Sequence, residues 1–189
     1  MCRDVKQDTK QKIALALRQL MQERPLRKIT VQDLMERAQM TRQSFYYHFQ
    51  DIRDVLAWIC EQQLSAPLRE AQELSFEDWM MKALLLMEED RGFYRQILSY
   101  TDSAFLLRFC DELLRPRMVQ LLFGEQSEQN LDDRRKFVVD FSIQAAQSCL
   151  TGMLSTRRGL EEEEARARLR CLLDALSLNG AVRPCVQGD

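Results

Sequence analysis

Between residues 41 and 49 the chain reads Thr-Arg-Gln-Ser-Phe-Tyr-Tyr-His-Phe, and this run carries most of the chemistry the sequence offers. Phe45 and Phe49 stand four apart and so share one helical face. Two phenylalanines at that spacing belong inside. The opposite face then presents Gln43 and Tyr47, with Ser44 and Tyr46 flanking and Arg42 and His48 at the edges. A helix that exposes Arg, Gln, Ser and Tyr at its N-terminal end suits a major groove, where arginine pairs bidentately with guanine and glutamine with adenine. His48 is the single histidine of the chain, and no triad, metal cluster or phosphate loop can be recognised beside it.

The elements that must hold this run can be read on either side of it. Thr30 is placed to cap a helix whose apolar positions are Val31, Leu34, Met35 and Ala38, the spacing of one face. The pattern breaks at Gln39-Met40, and Thr41 offers a second N-cap. The result is two short helices around a tight turn. Before them, a helix from about Val5 to Gln22 brings Ile13, Leu17, Leu20 and Met21 to one side, and Pro25 ends it. Ile13, Leu17, Val31, Leu34, Phe45 and Phe49 are the expected core of this head. Lys6, Lys10 and Lys12 either reach a phosphate backbone or form a solvated face. After a link over residues 50–52, a helix from near Arg53 carries Val55, Leu56, Ile59, Cys60 and Leu64 toward Pro67 and connects head to body.

The rest of the chain predicts an all-α body. Ser75, with Asp78 three residues on, opens a helix through Trp79, Met80, Ala83, Leu84 and Met87, and residues 88–92 break it. A short helix carries Phe93, Tyr94, Ile97 and Leu98. Asp102 or Ser103 opens a longer one that Pro116 must kink or divide. Two final helices span about Asp132 to Thr156 and about Glu161 to Leu178, the latter with Glu162–Arg166 and Glu164–Arg168 pairs. Large apolar groups on the short, kinked helices, namely Trp79, Leu84, Met87, Phe93, Tyr94, Phe105, Phe109 and Met118, either bound a ligand cavity or form plain core. A stripe of small residues, Ala145, Ser148, Cys149, Gly152 and Ser155, and the leucine stripe of the last helix, Leu169, Leu172, Leu173 and Leu176, suit a symmetric homodimer built as a four-helix bundle.

Composition narrows the classes. The net charge of −2 divides into +4 over residues 1–60 and −6 over the remainder, a basic head on an acidic body. No apolar run is long enough for a membrane span, and the N-terminus lacks the apolar core of a signal peptide, so a cytoplasmic location is expected. The six cysteines contain no CxxC pair. Most read as buried small apolar residues, with a thiol sensor as the alternative.

The first helix, the Thr30-Val31 opening, Leu34, Ala38, the run Phe45-Tyr46-Tyr47-His48-Phe49 and then Asp54-Val55-Leu56 resemble the head of the tetracycline-repressor family. The resemblance covers about the first third of the chain. The Phe-Tyr-Tyr-His-Phe-Gln-Asp-Ile wording is also similar to a subgroup that includes regulators of dihydroxyacetone kinase genes. Two positions depart from the family: Gln39 stands where the turn glycine is usual, which costs strain or changes the turn, and Ile52 stands where a phosphate-contacting lysine is common. The resemblance implies base-edge roles for Arg42, Gln43, Ser44 and Tyr46, phosphate roles for Thr30, Tyr47 and His48, and a place for Thr41 in the same interface. His48 is read as a phosphate contact or helix-end group, not a catalyst.

These readings give an all-α fold: a three-helix helix-turn-helix head over residues 1–50, a helical regulatory and dimerisation domain over 51–180, and a tail over 181–189. The expected function is not enzymatic and needs no cofactor or metal. It is a dimeric repressor of double-stranded DNA bearing an inverted repeat, controlled by a small molecule or a partner protein. The alternatives are an activator controlled by a protein partner, and an interaction protein that lost DNA binding.

Overall fold

Five helices begin where a short polar side chain accepts the backbone N–H three residues on. Thr30 accepts from Asp33, Thr41 from Ser44, Asp51 from Asp54, Ser75 from Asp78 and Asp132 from Arg135, at 2.8–3.2 Å. At Thr30 the exchange is reciprocal, because the Asp33 carboxylate accepts the Thr30 backbone N–H at 2.8 Å.

The computed structural model describes residues 2–99, 103–124, 128–156 and 158–178, and their regular elements are helical. Helix α1 (Cys2–Glu23) runs to Pro25 and a 3-10 turn (Leu26–Lys28). Helices α2 (Val31–Ala38) and α3 (Arg42–His48) follow, then α4 (Ile52–Cys60), a π-helical turn (Glu61–Ser65), α5 (Ala66–Arg69), α6 (Phe76–Glu89), α7 (Arg91–Ser99), α8 (Ser103–Phe123), a 3-10 turn (Glu128–Asn130), α9 (Asp133–Ser155) and α10 (Glu162–Leu178). The expected tail over 181–189 and Asp102 lie outside the described residues. Among the described residues no helix is long and apolar enough to cross a membrane.

Two prolines behave differently. Pro67 supplies no N–H for an α-helical bond to residue 63, and the chain meets it through the π-helical turn that joins α4 to α5. Pro116 was expected to kink or divide its helix, yet α8 passes through it undivided. Glu112, whose carbonyl loses its helical partner, and Pro116 are both exposed residues.

Helix α1 packs on α2, α3, α4 and α7, and so belongs to head and body at once. Ile13, Leu17, Leu34, Phe45 and Phe49 are buried, as the apolar spacing predicts, while Val31 is half-buried against the same core. Two side chains clamp head to body. Arg18 of α1 pairs with Asp90 at 2.8 Å, lies over the Phe93 ring at 4.8 Å and donates to Gln63. Gln96 of α7 donates to the Met21 carbonyl and accepts the Leu26 N–H at 2.9 Å, serving the loop where α1 ends. In the body α10 packs on α6 and α9, fastened by Arg166 to Asp78 at 2.9 Å and Arg170 to Glu77 at 3.1 Å. The Glu162–Arg166 and Glu164–Arg168 pairs are formed.

Phe45 is fully buried in a small head. Phe45→Ala is expected to cost about 3–5 kcal/mol. Denaturant unfolding followed by circular dichroism and by Trp58 fluorescence would show the head melting ahead of the body. A loss under about 1 kcal/mol would contradict this packing.

Candidate functional site

The turn between α2 and α3 fixes where α3 points. Gln39 ends α2 with φ 54° and ψ 46°, a left-handed conformation, and among the described residues it is the one non-glycine with positive φ. Of the two outcomes open for a non-glycine here, the turn keeps the shape that suits glycine and the chain carries the strain. The Met40 N–H returns to the Met35 carbonyl at 3.0 Å, and Thr41 then starts α3.

Helix α3 is seven residues long and sorts its side chains sharply. Phe45 and Phe49 are 0% and 2% exposed, whereas Tyr46 and Tyr47 are 61% and 67% exposed. Thr41, Arg42 and Gln43 are exposed, and Ser44 and His48 are half-buried. The Arg42 guanidinium donates to the Gln32 side-chain oxygen at 2.8 Å, and the Gln32 amide donates to Glu36 at 3.0 Å, so α2 holds Arg42 at the crossing of the two helices. Tyr47 meets His48 edge to face at 5.0 Å, and Tyr46 meets Phe45 in the same way at 5.3 Å.

Some expected phosphate groups are occupied. The Thr30 hydroxyl accepts from Asp33 N–H and donates to the Asp33 carboxylate at 2.7 Å, so it serves the cap. Asp33 is held below the usual carboxylate range by these Thr30 bonds, with Arg24 adding to the effect. Lys12 pairs with Asp8 at 2.8 Å, and the Lys10 ammonium sits over the Phe49 ring at 5.1 Å. The Lys6 side chain lies outside those described. Arg27 and Lys28, which sequence reading did not single out, are exposed beside Thr30. Ile52, in the place of the usual lysine, is half-buried as the first residue of α4.

The apolar groups expected around a cavity divide. A cleft of about 500 Å³ opens between head and body, with Lys10, Phe49, Trp58, Trp79, Phe109 and Arg117 among its walls. A smaller chamber of about 60 Å³ lies inside the body, and Trp79, Met87, Tyr94 and Phe109 are in its wall. Leu84, Phe93 and Met118 line neither. They are buried in close packing, Phe93 beneath the Arg18 guanidinium, because a large apolar side chain on a short helix fills core as readily as it bounds a void. Phe105 is on α8, and its side chain lies outside those described. The chamber wall also holds Gln147, which sequence reading missed. Its signal was positional: Ile143, Gln147, Leu150 and Leu154 follow the spacing of one buried face, and a glutamine there interrupts an apolar stripe.

The leucines expected to meet a second copy also divide. Leu169 and Leu176 are buried within their own chain, where α10 packs on α6 and α9, so they are not open to a partner. Leu172 and Leu173 are half-buried. On α9, Ser148 and Gly152 are exposed and Ala145 and Cys149 half-buried. A Cβ built on Gly152 meets nothing within 4 Å. Two large apolar groups extend this stripe and were missed in the sequence, Phe137 and Phe141, 68% and 56% exposed. Their spacing of four, continuing to Ala145, was the available signal.

Residues 13–58 match the family model for bacterial regulatory proteins of the tetR family. Over 92 residues the chain is 33% identical to a protein of Lactococcus lactis subsp. lactis (strain IL1403) described as the HTH-type dhaKLM operon transcriptional activator DhaS, a match covering 47% of this chain and 48% of that one. The match therefore spans about half the length of that relative. Among solved structures the chain is similar to a TetR transcriptional regulator from Streptococcus agalactiae 2603V, with TM-score 0.67 and 25% identity over 92% of this chain and 96% of the other. It shares its fold with a dihydroxyacetone kinase operon activator DhaS, with TM-score 0.62 and 22% identity over 90% and 97% of the two chains.

The strain at Gln39 is directly testable. Gln39→Gly is expected to raise stability by about 0.5–1 kcal/mol, since glycine adopts this backbone without a Cβ clash. Thermal melting of the two proteins checks it, and a lowered midpoint would contradict the strain.

Proposed function

We propose, from the match of residues 13–58 to the model for bacterial regulatory proteins of the tetR family, that the protein is a sequence-specific DNA-binding transcriptional regulator of that family and acts as a homodimer. One observation carries the reading. Helix α3 buries both phenylalanines and turns Arg42, Gln43, Tyr46 and Tyr47 to solvent, capped at Thr41 and crossed by α2. Arg42, Gln43, Ser44 and Tyr46 face base edges in the major groove, and Tyr47 and His48 contact phosphate. Arg27 and Lys28 add positive charge at the start of α2, where Thr30 keeps its capping duty.

The dimer supports this use of the head. At 100° per residue Phe137, Phe141, Ala145, Ser148 and Gly152 fall within about 80° of each other on α9. Exposed phenylalanines beside a strip of small residues mark a surface that a second copy covers. Pairing through α9 and the half-buried Leu172 and Leu173 of α10 places two α3 helices on successive major grooves, about 34 Å apart, and the operator is an inverted repeat. Residues 51–180 then carry dimerisation and the response to an effector. Bound over a promoter, such a dimer represses. A second reading, activation, is favoured by the description of the Lactococcus lactis relative as an activator. A reporter with the selected site moved from over the promoter to upstream of it distinguishes the two.

Selection of bound sequences from random DNA is expected to return an inverted repeat. Arg42→Ala and Gln43→Ala should each relax preference at one position of the half-site, by about 1–3 kcal/mol, and Tyr47→Ala and His48→Ala should weaken all sequences alike. Four folded variants with unchanged affinity and specificity would overturn the interface.

For the dimer, Gly152→Leu is the sharper variant. Gly152 is exposed and a Cβ added there meets nothing in its own chain within 4 Å, so the collision expected is with a second copy. Sedimentation is expected to show monomers at micromolar concentration, with helix content unchanged and operator binding weakened. A variant as dimeric as the wild type would remove this face from the interface.

A further inference from the structure

Three exposed side chains at the crossing of α2 and α3 form a chain of hydrogen bonds. The left-handed turn at Gln39 sets α3 across α2 and brings residues 32 and 42 to hydrogen-bond distance. Gln32 is the second residue of α2, Glu36 lies one turn further along it, and Arg42 is the first residue of α3. All three are exposed. The Arg42 Nη2 donates to the Gln32 Oε1 at 2.8 Å, and the Gln32 Nε2 donates to the Glu36 Oε1 at 3.0 Å. A guanidinium has donors only, so Gln32 must turn its oxygen toward Arg42 and its N–H₂ away. The Glu36 carboxylate, an acceptor only, takes that N–H₂. Carboxylate, amide and guanidinium thus form a chain with one direction, and Glu36 fixes which way round the amide lies.

Exposed bonds of this kind add little to stability, and α2 and α3 already share the core that holds Leu34 and Phe45. What the chain does is hold one side chain. A free arginine samples many rotamers and surrenders them when it meets a base, whereas a guanidinium fixed beforehand surrenders fewer. The bond to Gln32 leaves the reading chemistry intact. Nη2 carries two hydrogens, one on the edge shared with Nε and one on the edge shared with Nη1. Whichever of them Gln32 takes, the other edge keeps two parallel donors, the pair that guanine O6 and N7 accept. An arginine so held offers its fork in one orientation instead of sweeping over neighbouring bases.

We propose that Gln32 is a positioning residue for base recognition: anchored by Glu36, it aims the Arg42 guanidinium at one guanine of the half-site and so sets the preference at that base pair. The inference rests on the reading of α3 as the helix in the major groove, and it adds to that reading a residue of α2 that touches no base. Glu36 then has a role that its charge alone does not suggest. A carboxylate so near the exposed end of α3 opposes phosphate for every sequence alike, so its contribution is to the choice of sequence and not to affinity.

The test uses the full chain and the inverted repeat it selects from random DNA. Selection with Arg42→Ala identifies the base pair whose preference that residue sets. Anisotropy of labelled DNA at fixed salt then gives the ratio of dissociation constants for the repeat and for a repeat altered at that pair. Arg42→Ala is expected to lower the ratio about tenfold or more, and Gln32→Ala about threefold to tenfold at the same pair, with the melting midpoint unchanged. The double variant should be no worse than Arg42→Ala alone, since Gln32 acts through Arg42. Exchanging the partners, Gln32→Glu with Glu36→Gln, keeps an acceptor for Arg42, a donor to that acceptor and the net charge, and should restore the wild-type ratio. An unchanged ratio in Gln32→Ala would overturn the proposal, as would a loss spread evenly over all sequences or an exchanged pair no better than Gln32→Ala. A further loss at another base pair in the double variant would make Gln32 a base contact itself and overturn it equally. A wild-type protein that selects no sequence, or an Arg42→Ala that relaxes no position, would overturn the reading of α3 on which the inference rests. Specific binding that Arg42→Ala relaxes and Gln32→Ala does not would overturn the positioning role alone.

Discussion

Burial of Phe45 and Phe49 is the constraint on which the rest of the molecule depends. Seven residues cannot sustain a helix alone, since nucleation is unfavourable and two turns recover little of it. Helix α3 exists because its two phenylalanines complete a core with Ile13, Leu17 and Leu34. Their rings lie 6.0 Å apart, and Phe49 meets Trp58 of α4 at 6.3 Å and the Lys10 ammonium at 5.1 Å. The contact that chooses which face of α3 reaches solvent therefore also sets the angle at which α4 leaves the head. It furnishes part of the wall of the head–body cleft as well, since Lys10, Phe49 and Trp58 all line it. The exposed face of α3 and the cleft are two sides of one aromatic anchor.

The head is not tethered loosely. Exposed ion pairs contribute little, but Arg18 is only 22% exposed and combines a carboxylate, a ring face and an amide oxygen in one side chain. Gln96 goes further, because it partners two backbone groups at the end of α1, where a lost bond leaves a part-buried amide unsatisfied. Helix α7 thus faces two ways. Gln96 holds the head, while Tyr94 and Ile97 on the same two turns line the chamber. Any molecule that repositions α7 acts on the loop that leads into α2, through side chains already in contact.

What could be read from the sequence was local. A cap needs one side chain and an amide three residues away, so Thr30, Thr41 and Ser75 could be placed from spacing alone. Asp51 was passed over because the neighbouring Gln50 and Ile52 read as a link. Which face of α3 is exposed followed from two phenylalanines, for the same reason of short range. Tertiary choices were not legible. Leu84 and Met87 are alike in size and share a helix, yet only Met87 reaches the chamber. That outcome depends on how α6 is rotated against α8 and α9, which no local pattern states. Leu169 and Leu176 were assigned outward because a leucine stripe serves an internal neighbour and a second copy equally well, and α6 and α9 took it. Gln39 stands between these cases. Its identity argued against a left-handed turn, and the packing of α2 on α3 prevailed over that preference.

Helix α9 shows most clearly how the parts are connected. One side, through Ile143, Gln147, Leu150 and Leu154, is buried in its own chain, and three of these residues close the chamber. The side roughly opposite carries Phe137, Phe141 and Gly152 in the open. An ordinary surface helix has one apolar stripe and one polar face. A helix apolar on two sides is suited to be a layer between two cores, and the proposed second copy would supply the second one. Gly152 fits that position, because glycine within a helix costs about 1 kcal/mol relative to alanine and nothing in its own chain requires the missing side chain. A single helix therefore separates the buried Gln147 from the face proposed to meet a second copy. The chamber wall and the exposed apolar face thus share one helix, and α4 and α7, which also line that chamber, pack on α1 of the head.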